Sequence, residues 1–245
     1  MKLFILAAGK GSRLKSLTRD LPKPLMTIDQ KGTTILEYNI NCAKKSGLFE
    51  EIVVITGYKA PIVVDYLKKI QGIKISTAFN VMYSEFGPIS SLWSIKKNVL
   101  LNDCVIINGD TLYDDAVFEQ LDKCVSTSLF YSKKNIYEND EVKLIIRDKQ
   151  VERVAKVLDL NKADGVSAGL LLVKGENTRQ ILYNYICKLY KSKVIWHELI
   201  NQLVQENIEV YPLEIDSSLW YEIDTIKDYK TYHAQKGKVI PNVNN

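Results

Sequence analysis

Histidine and cysteine are scarce in this 245-residue chain: two histidines, His197 and His233, and four cysteines, Cys42, Cys104, Cys124 and Cys187. No C-x-x-C pair occurs, so the chain lacks the ligand spacing of a structural zinc site. Scattered thiols without a disulfide framework fit a reducing compartment, and the expected location is cytoplasmic. Long hydrophobic runs are missing too. The apolar stretch at the amino terminus is interrupted by Gly9 and Arg13 well short of a signal or membrane segment, so no membrane role is expected. No Lys/Arg block accompanies the net charge of +4, which argues against a nucleic-acid partner and leaves room for a small anionic ligand. The phosphate-binding pattern G-x-x-x-x-G-K-[ST] does not occur, and Leu14 stands where a dinucleotide fingerprint needs its third glycine. Internal repeats and low-complexity segments are likewise missing. What remains is an ordinary globular composition, 46% apolar and 25% charged, in a chain long enough to bury a full core without staples.

The patterning alternates. Leu3 to Leu6 reads as a buried strand, Ile35 to Ser46 as a helix stopped by Gly47, and Ile52 to Thr56 as a β-branched strand before the Gly57-Tyr58 turn. Ile62 to Lys69 and Ile89 to Lys97 have helical spacing, with a strand from Ile73 to Phe79 between them and another, Val105 to Ile107, after. Alternating strands and helices predict an α/β fold: a three-layer α/β/α arrangement around a mixed, mostly parallel sheet. The second half is richer in strands, at Ser126 to Tyr131, Val142 to Arg147, Val151 to Lys156 and Gly165 to Val173, with Asp148-Lys149-Gln150 as a hairpin turn. Helices return at Thr178 to Tyr190 and Val194 to Glu206, then a strand at Ile208 to Leu213 and a helix at Thr225 to Ala234. We expect one domain over residues 1–235, with a nucleotide-binding half of about 1–125, a β-rich acceptor half of about 126–235, and a flexible polar tail at 236–245.

Three stretches carry chemistry. Leu6-Ala7-Ala8-Gly9-Lys10-Gly11-Ser12-Arg13-Leu14, with Pro22-Lys23-Pro24-Leu25, places glycines and cations beyond a strand end, where backbone N–H groups can approach phosphate oxygens. A plain strand-to-loop turn with solvated Lys10 and Arg13 is the alternative. Asn108-Gly109-Asp110 puts a carboxylate at another strand end, suited to a divalent cation or to an Asx turn. In Trp220-Tyr221-Glu222-Ile223-Asp224, alternation sets Glu222 and Asp224 on one face, where they repel unless a cation or proton lies between them. The alternative for Asp224 is a cap on the helix that starts at Thr225.

Taken with Thr56-Gly57-Tyr58, these motifs run in the order of the sugar-phosphate nucleotidyltransferase superfamily, which the chain resembles over about nine-tenths of its length. The short second half and the Trp220 to Asp224 ending look most like the small phosphocholine-cytidylyltransferase-like enzymes. That resemblance implies the Rossmann-like nucleotide-diphospho-sugar transferase fold and transfer of CMP from CTP to a small phosphorylated acceptor such as phosphocholine, phosphoethanolamine or phosphoglutamine. Pyrophosphate would leave, and the product would serve capsule or surface polysaccharide modification. The resemblance further implies that Leu6, Ala7, Ala8, Gly9, Gly11, Ser12, Arg13, Lys23, Tyr58, Asn80 and Ser90 bind the nucleotide. Lys23, Arg13 and Asp110 would act at the reacting centre, and Asp110, Glu222 and Asp224 would hold Mg²⁺. Lys156, Trp196 and Trp220 are the acceptor-side candidates. For Lys156 the alternative is a solvated strand end, and for Trp196 a place in the core. Relatives often carry an asparagine in the turn occupied here by Gly87-Pro88, and two acids after the aromatic where this chain has His197. A sugar-1-phosphate nucleotidyltransferase and a catalytically silent nucleotide-binding module are the competing readings. A monomer and a homodimer are both open.

Overall fold

The computed structural model describes residues 1–235; the polar tail expected at 236–245 lies outside the described residues. In chain order the elements are β1 Lys2–Ala7, α1 Ile35–Ser46, β2 Glu51–Thr56, α2 Ala60–Leu67, β3 Ile75–Phe79, α3 Ile89–Ser94, α4 Lys96–Leu101, β4 Cys104–Asn108, β5 Thr111–Tyr113 and α5 Asp115–Leu121. They continue with β6 Ser128–Ser132, β7 Lys143–Arg147, β8 Gln150–Ala155, β9 Gly165–Val173, α6 Glu176–Leu189, α7 Glu198–Gln205, β10 Tyr211–Glu214, β11 Trp220–Glu222 and α8 Ile226–Ala234.

β1 lies between β2 and β4 and pairs with both in parallel, and β3 extends the parallel block. β9 then joins antiparallel to β4 on one side and to β6 on the other, so one continuous sheet of order β10-β6-β9-β4-β1-β2-β3 runs through both halves of the chain. Strand alternation divides the core in two. Leu3 and Ile5 face one layer with Val54, Val105, Ile40 of α1 and Phe118 of α5. Phe4 faces the other with Val53, Ile106, Leu92 of α3, Ile186 of α6 and Leu203 of α7. This is the three-layer α/β/α fold with a mixed, mostly parallel sheet that the sequence predicts.

Local differences have local causes. The helix expected over Ile89 to Lys97 is two helices broken at Ile95, whose backbone (φ −119, ψ 16) leaves the helical region. The helix expected from Val194 begins only at Glu198, because Trp196 and His197 are drawn to β4 and β9: the Trp196 indole donates to Asn108 Oδ1 (2.9 Å) and His197 Nε2 pairs with Ser167 Oγ (2.9 Å). The strand expected at Ile208 starts at Tyr211, since Asn207 turns left-handed (φ 58) to close α7 and Ile208 N–H donates back to Leu203 (2.9 Å). Asp148 and Lys149 form the hairpin between β7 and β8, both at positive φ (48 and 64), as a two-residue primed turn requires.

One short strand escapes the sequence patterns. β5 follows Asp110 directly and pairs antiparallel with β11, Thr111 opposite Glu222, outside the main sheet. Asn39 holds it. This fully buried α1 residue donates through Nδ2 to Thr111 O (2.7 Å) and accepts at Oδ1 from Tyr113 N–H (3.1 Å). Leucine at 39 would leave a buried carbonyl and a buried N–H without partners, at about 1–3 kcal/mol each. Asn39→Leu is therefore expected to lower the unfolding free energy by about 2–4 kcal/mol in urea titrations.

Candidate active site

The carboxyl ends of β1, β2, β3 and β4 open on one side of the sheet, the position where open α/β sheets bind ligands. Two adjoining cavities lie there, of about 760 and about 200 Å³, and both are lined by Leu6, Gly9, Arg13, Gly109, Asp110 and Asp224. The larger falls within the roughly 300–1,000 Å³ typical of small-molecule sites.

The glycine loop forms the smaller cavity. Gly11 turns left-handed (φ 64), and a Cβ there would meet Lys23 Cβ at 3.1 Å, so the loop packs on the second motif. Thr18 Oγ1 closes it by donating to Gly11 O (2.9 Å). Pro22 leads into a single 3-10 turn, Lys23–Leu25, closed by Met26 N–H donating to Lys23 O (3.0 Å). The turn buries the lysine stem and aims its ammonium group at Asp110 Oδ2 (2.7 Å) and Asp224 Oδ1 (2.8 Å). Gly109 N–H donates to Leu6 O (3.1 Å), and a Cβ at Gly109 would lie 2.5 Å from that oxygen, so only glycine lets the β4–β5 turn reach the end of β1.

The acidic residues arrive by two routes. Asp110 ends the turn after β4, and Ile223 N–H donates to its carbonyl (3.0 Å), fixing the chain just past β11. Asp110, Glu222 and Asp224 thereby bring carboxylate oxygens within 4.8 Å of one another. Arg13 Nη2 meets Asp224 Oδ2 at 2.5 Å, and its Nη1 meets Asp140 at 3.3 Å. Asp224 is not a helix cap. Thr225 caps α8 in a capping box with Asp228, and Asp228 also accepts from the Asp224 N–H (3.0 Å), so the Asp224 carboxylate is left for the cluster. Burial alone would pull the Lys23 ammonium down, but Asp110 and Asp224 outweigh it and raise its pKa. Burial, with the charges of Asp110 and Asp224, pushes the Glu222 carboxyl up to about 8, partly offset by Lys23 and Arg13. Glu222 is exposed toward the cavity, so the crowded charges are the durable part of that rise. Three hard oxygen donors around one point, offering no nitrogen or sulfur, match the ligand chemistry of Mg²⁺.

The larger cavity takes in Ala8, Asn80, Ser90, Lys156, Trp196 and Trp220. Asn80 is buried, donating to Ser90 Oγ (2.9 Å) and Ser91 Oγ (3.0 Å) and accepting from Met82 N–H (2.9 Å). Ala7, Ser12, Gly11 and Lys23 line the smaller cavity. Tyr58 lines neither. Its backbone N–H donates to Ala8 O (3.0 Å), which ties it to the first loop, while its hydroxyl donates to Arg19 O (2.9 Å) and its ring lies under Lys10 and Lys59. Sequence reasoning passed over Asn39 and Ser167. Asn39 was legible as a polar residue on the apolar face of a helix; Ser167 sits in an apolar strand with nothing to mark it.

A glycine loop, a buried lysine and a carboxylate triad thus meet at the strand ends of this sheet. The chain belongs to the Nucleotidyl transferase family, whose model matches residues 2–143. It is similar along its length to the choline-phosphate cytidylyltransferases of Streptococcus pneumoniae (29% identical, covering 94% of this chain and 96% of the relative) and Haemophilus influenzae (27% identical, 99% of both). Among solved structures it is similar to the CTP:phosphocholine cytidylyltransferase of S. pneumoniae (TM-score 0.79, 26% identical, covering 95% of this chain and 97% of that one).

His197, at the cavity floor, yields a test of its own. Burial and the nearby Lys156 charge pull the imidazole pKa down from 6.5 to about 3, so the folded protein keeps it neutral. The unfolded chain protonates it near its ordinary value. The unfolded state then binds more protons, and stability falls as pH drops below 6.5. Between about pH 8 and pH 5 this linkage costs about 2 kcal/mol. Glu222, raised in the fold, works in the opposite direction in both proteins, so the test is the difference: relative to His197→Gln, the native protein should lose about 2 kcal/mol in urea unfolding between about pH 8 and pH 5.

Proposed function

We propose that this nucleotidyltransferase is a cytidylyltransferase that joins CMP from CTP to a small phosphorylated acceptor, releasing pyrophosphate. The observation that carries this reading is the β5–β11 pairing, which sets Glu222 and Asp224 against Asp110 beside Lys23 and the glycine loop. Full-length similarity to two choline-phosphate cytidylyltransferases supports the base and the acceptor class.

In this reading an acceptor phosphate oxygen forms a bond to the α-phosphorus while the bond to the β-phosphate oxygen breaks. The nucleophile is already an anion, so no general base is required of the protein. The backbone of Gly9 to Ser12 receives the triphosphate. Lys23 and Arg13 neutralise charge on the phosphoryl oxygens and hold the leaving pyrophosphate in line. Asp110, Glu222 and Asp224 would hold Mg²⁺, which when bound would supply further neutralisation of negative charge. Asn80 with Ser90 and Ser91 forms the wall against which the base rests, and Lys156 is the cation for the acceptor phosphate. The product would feed surface-polysaccharide modification.

Synthesis of a nucleotide sugar is the second reading. It is favoured by 33% identity over 117 residues to a heptose 1-phosphate guanylyltransferase of Campylobacter jejuni, a match that covers 46% of this chain. Pyrophosphate release from ATP, CTP, GTP and UTP, each against phosphocholine, phosphoethanolamine, phosphoglutamine and hexose 1-phosphates, separates the two. We expect Mg²⁺-dependent turnover with CTP. Lys23→Ala should lower kcat by about 100-fold or more, the loss of about 3 kcal/mol of transition-state stabilisation, and Asp224→Ala should abolish turnover. No turnover with any pair, or activity indifferent to Asp224→Ala, overturns the mechanism.

A further inference from the structure

Lys143, at the start of β7, is a lysine inside the protein, only 1% exposed. The nearest acid in sequence, Glu141, pairs with Lys134 instead, and among the described residues no other carboxylate forms an ion pair with Lys143. Its ammonium group donates to three backbone carbonyls: Lys156 O (2.9 Å), Glu141 O (3.0 Å) and, at longer range, Asn139 O (3.5 Å). That uses the whole donor capacity of the group. Burying a charge is costly, and a methionine would fill much the same space without that cost. The lysine is therefore accounted for by the carbonyls it holds, and by what those carbonyls belong to.

They belong to two segments that leave the sheet at this point. Lys143 stands opposite Ala155, the last residue of β8, and opposite Val166 of β9. Lys156 is the first residue past the β8 ladder, and its carbonyl accepts from the Lys143 ammonium in place of a strand partner. Two residues before it, Val154 is gripped by Asn201 of α7 through both its N–H (2.8 Å) and its carbonyl (2.9 Å). Asn139 and Glu141 lie in the stretch leading into β7. Lys134, Glu138, Asp140, Glu141 and Lys156 all line the larger cavity. From that stretch Asp140 reaches Arg13 of the glycine loop (3.3 Å), and Glu141 holds Lys134, whose ammonium lies 5.6 Å from the centre of the Trp220 ring. One buried ammonium thus joins the end of β8, with Lys156, to the charged stretch on the same cavity wall.

We propose that Lys143 is a positioning residue for the acceptor: by tying residues 139–141 to the carbonyl of Lys156, it holds the Lys156 side chain where the acceptor phosphate is received. The assignment rests on the reading of Lys156 given under the proposed function.

Steady-state kinetics with CTP, Mg²⁺ and phosphocholine, phosphoethanolamine, phosphoglutamine or a hexose 1-phosphate test it, together with amide hydrogen exchange of the ligand-free protein. Lys143→Met keeps the stem and removes the ammonium. It should raise KM about 30-fold for the acceptor that turns over fastest, and leave KM for CTP within about threefold because Arg13 keeps Asp224. Exchange at residues 138–142 and 156–158 should quicken by about tenfold, with β1, β2 and β4 unchanged. Lys143→Arg, which keeps the charge and the donors, should recover most of the acceptor KM. In a Lys156→Ala background, Lys143→Met should cost less than about threefold further, since the two losses share one cause. If Lys143→Met does not fold, Lys143→Gln, with two N–H donors and no charge, replaces it under the same expectations. Equal losses for acceptor and CTP, fully additive losses in the double variant, or unchanged exchange at both segments overturn the assignment while cytidylyl transfer stands. Absence of transfer from CTP to any acceptor in the native protein overturns the transfer reading, and the assignment with it.

Discussion

Three carboxylates cannot share a space 4.8 Å across without compensating charge, and the fold supplies it from two places in the same amino-terminal segment. Lys23 bridges Asp110 and Asp224, and Arg13 takes the outer oxygen of Asp224. At such distances like charges cost several kcal/mol in a partly dehydrated site. The pairing of distant segments therefore depends on these two cations: residues 13 and 23 precede Asp110, and Asp224 lies near the far end of the described chain. In the proposed reaction the same cations are the groups a triphosphate would recruit, so the forces that assemble the site and those that would work on substrate act through the same atoms.

The scaffold makes this possible by separating support from chemistry. β1, β2 and β4 are buried on both faces and carry β-branched and leucine side chains that contribute only packing, about 1.5–3 kcal/mol for each one fully buried. Their ends carry the functional residues on turns held by backbone hydrogen bonds to neighbouring strands. β9, shared by β4 and β6, ties the acceptor side into the same sheet, and its Ser167 and Gly169 deliver polar groups to the cavity without a separate framework.

Much of this was legible in the sequence because local chemistry and global role coincide. The helix Ile35 to Ser46 has apolar periodicity, a Thr34 cap and a left-handed Gly47, and its bounds match those expected. The Gly-x-Gly loop, Lys23, Asp110, Glu222 and Asp224 could be chosen from residue type and strand-end position. Whether Asp224 capped a helix or faced a ligand could not be decided from spacing, because Thr225 one residue later offers an equivalent cap; only the Thr225–Asp228 box resolves it. The three-residue strand β5 is too short for any periodicity, and Tyr58, chosen on motif resemblance, meets Ala8 through its backbone while its hydroxyl reaches Arg19 O. Ser167 depends on a partner 30 residues away, a tertiary fact.

The contact of Gly109 with Leu6 has a consequence for how far the site can drift. The residue before Asp110 and the residue three before Gly9 touch through one backbone hydrogen bond, with no room for even a methyl group between them. The glycine loop and the acid-bearing turn are thus gauged against each other by direct main-chain abutment, whatever side chains surround them. The spacing between cradle and carboxylate is set by the thickness of the peptide chain itself.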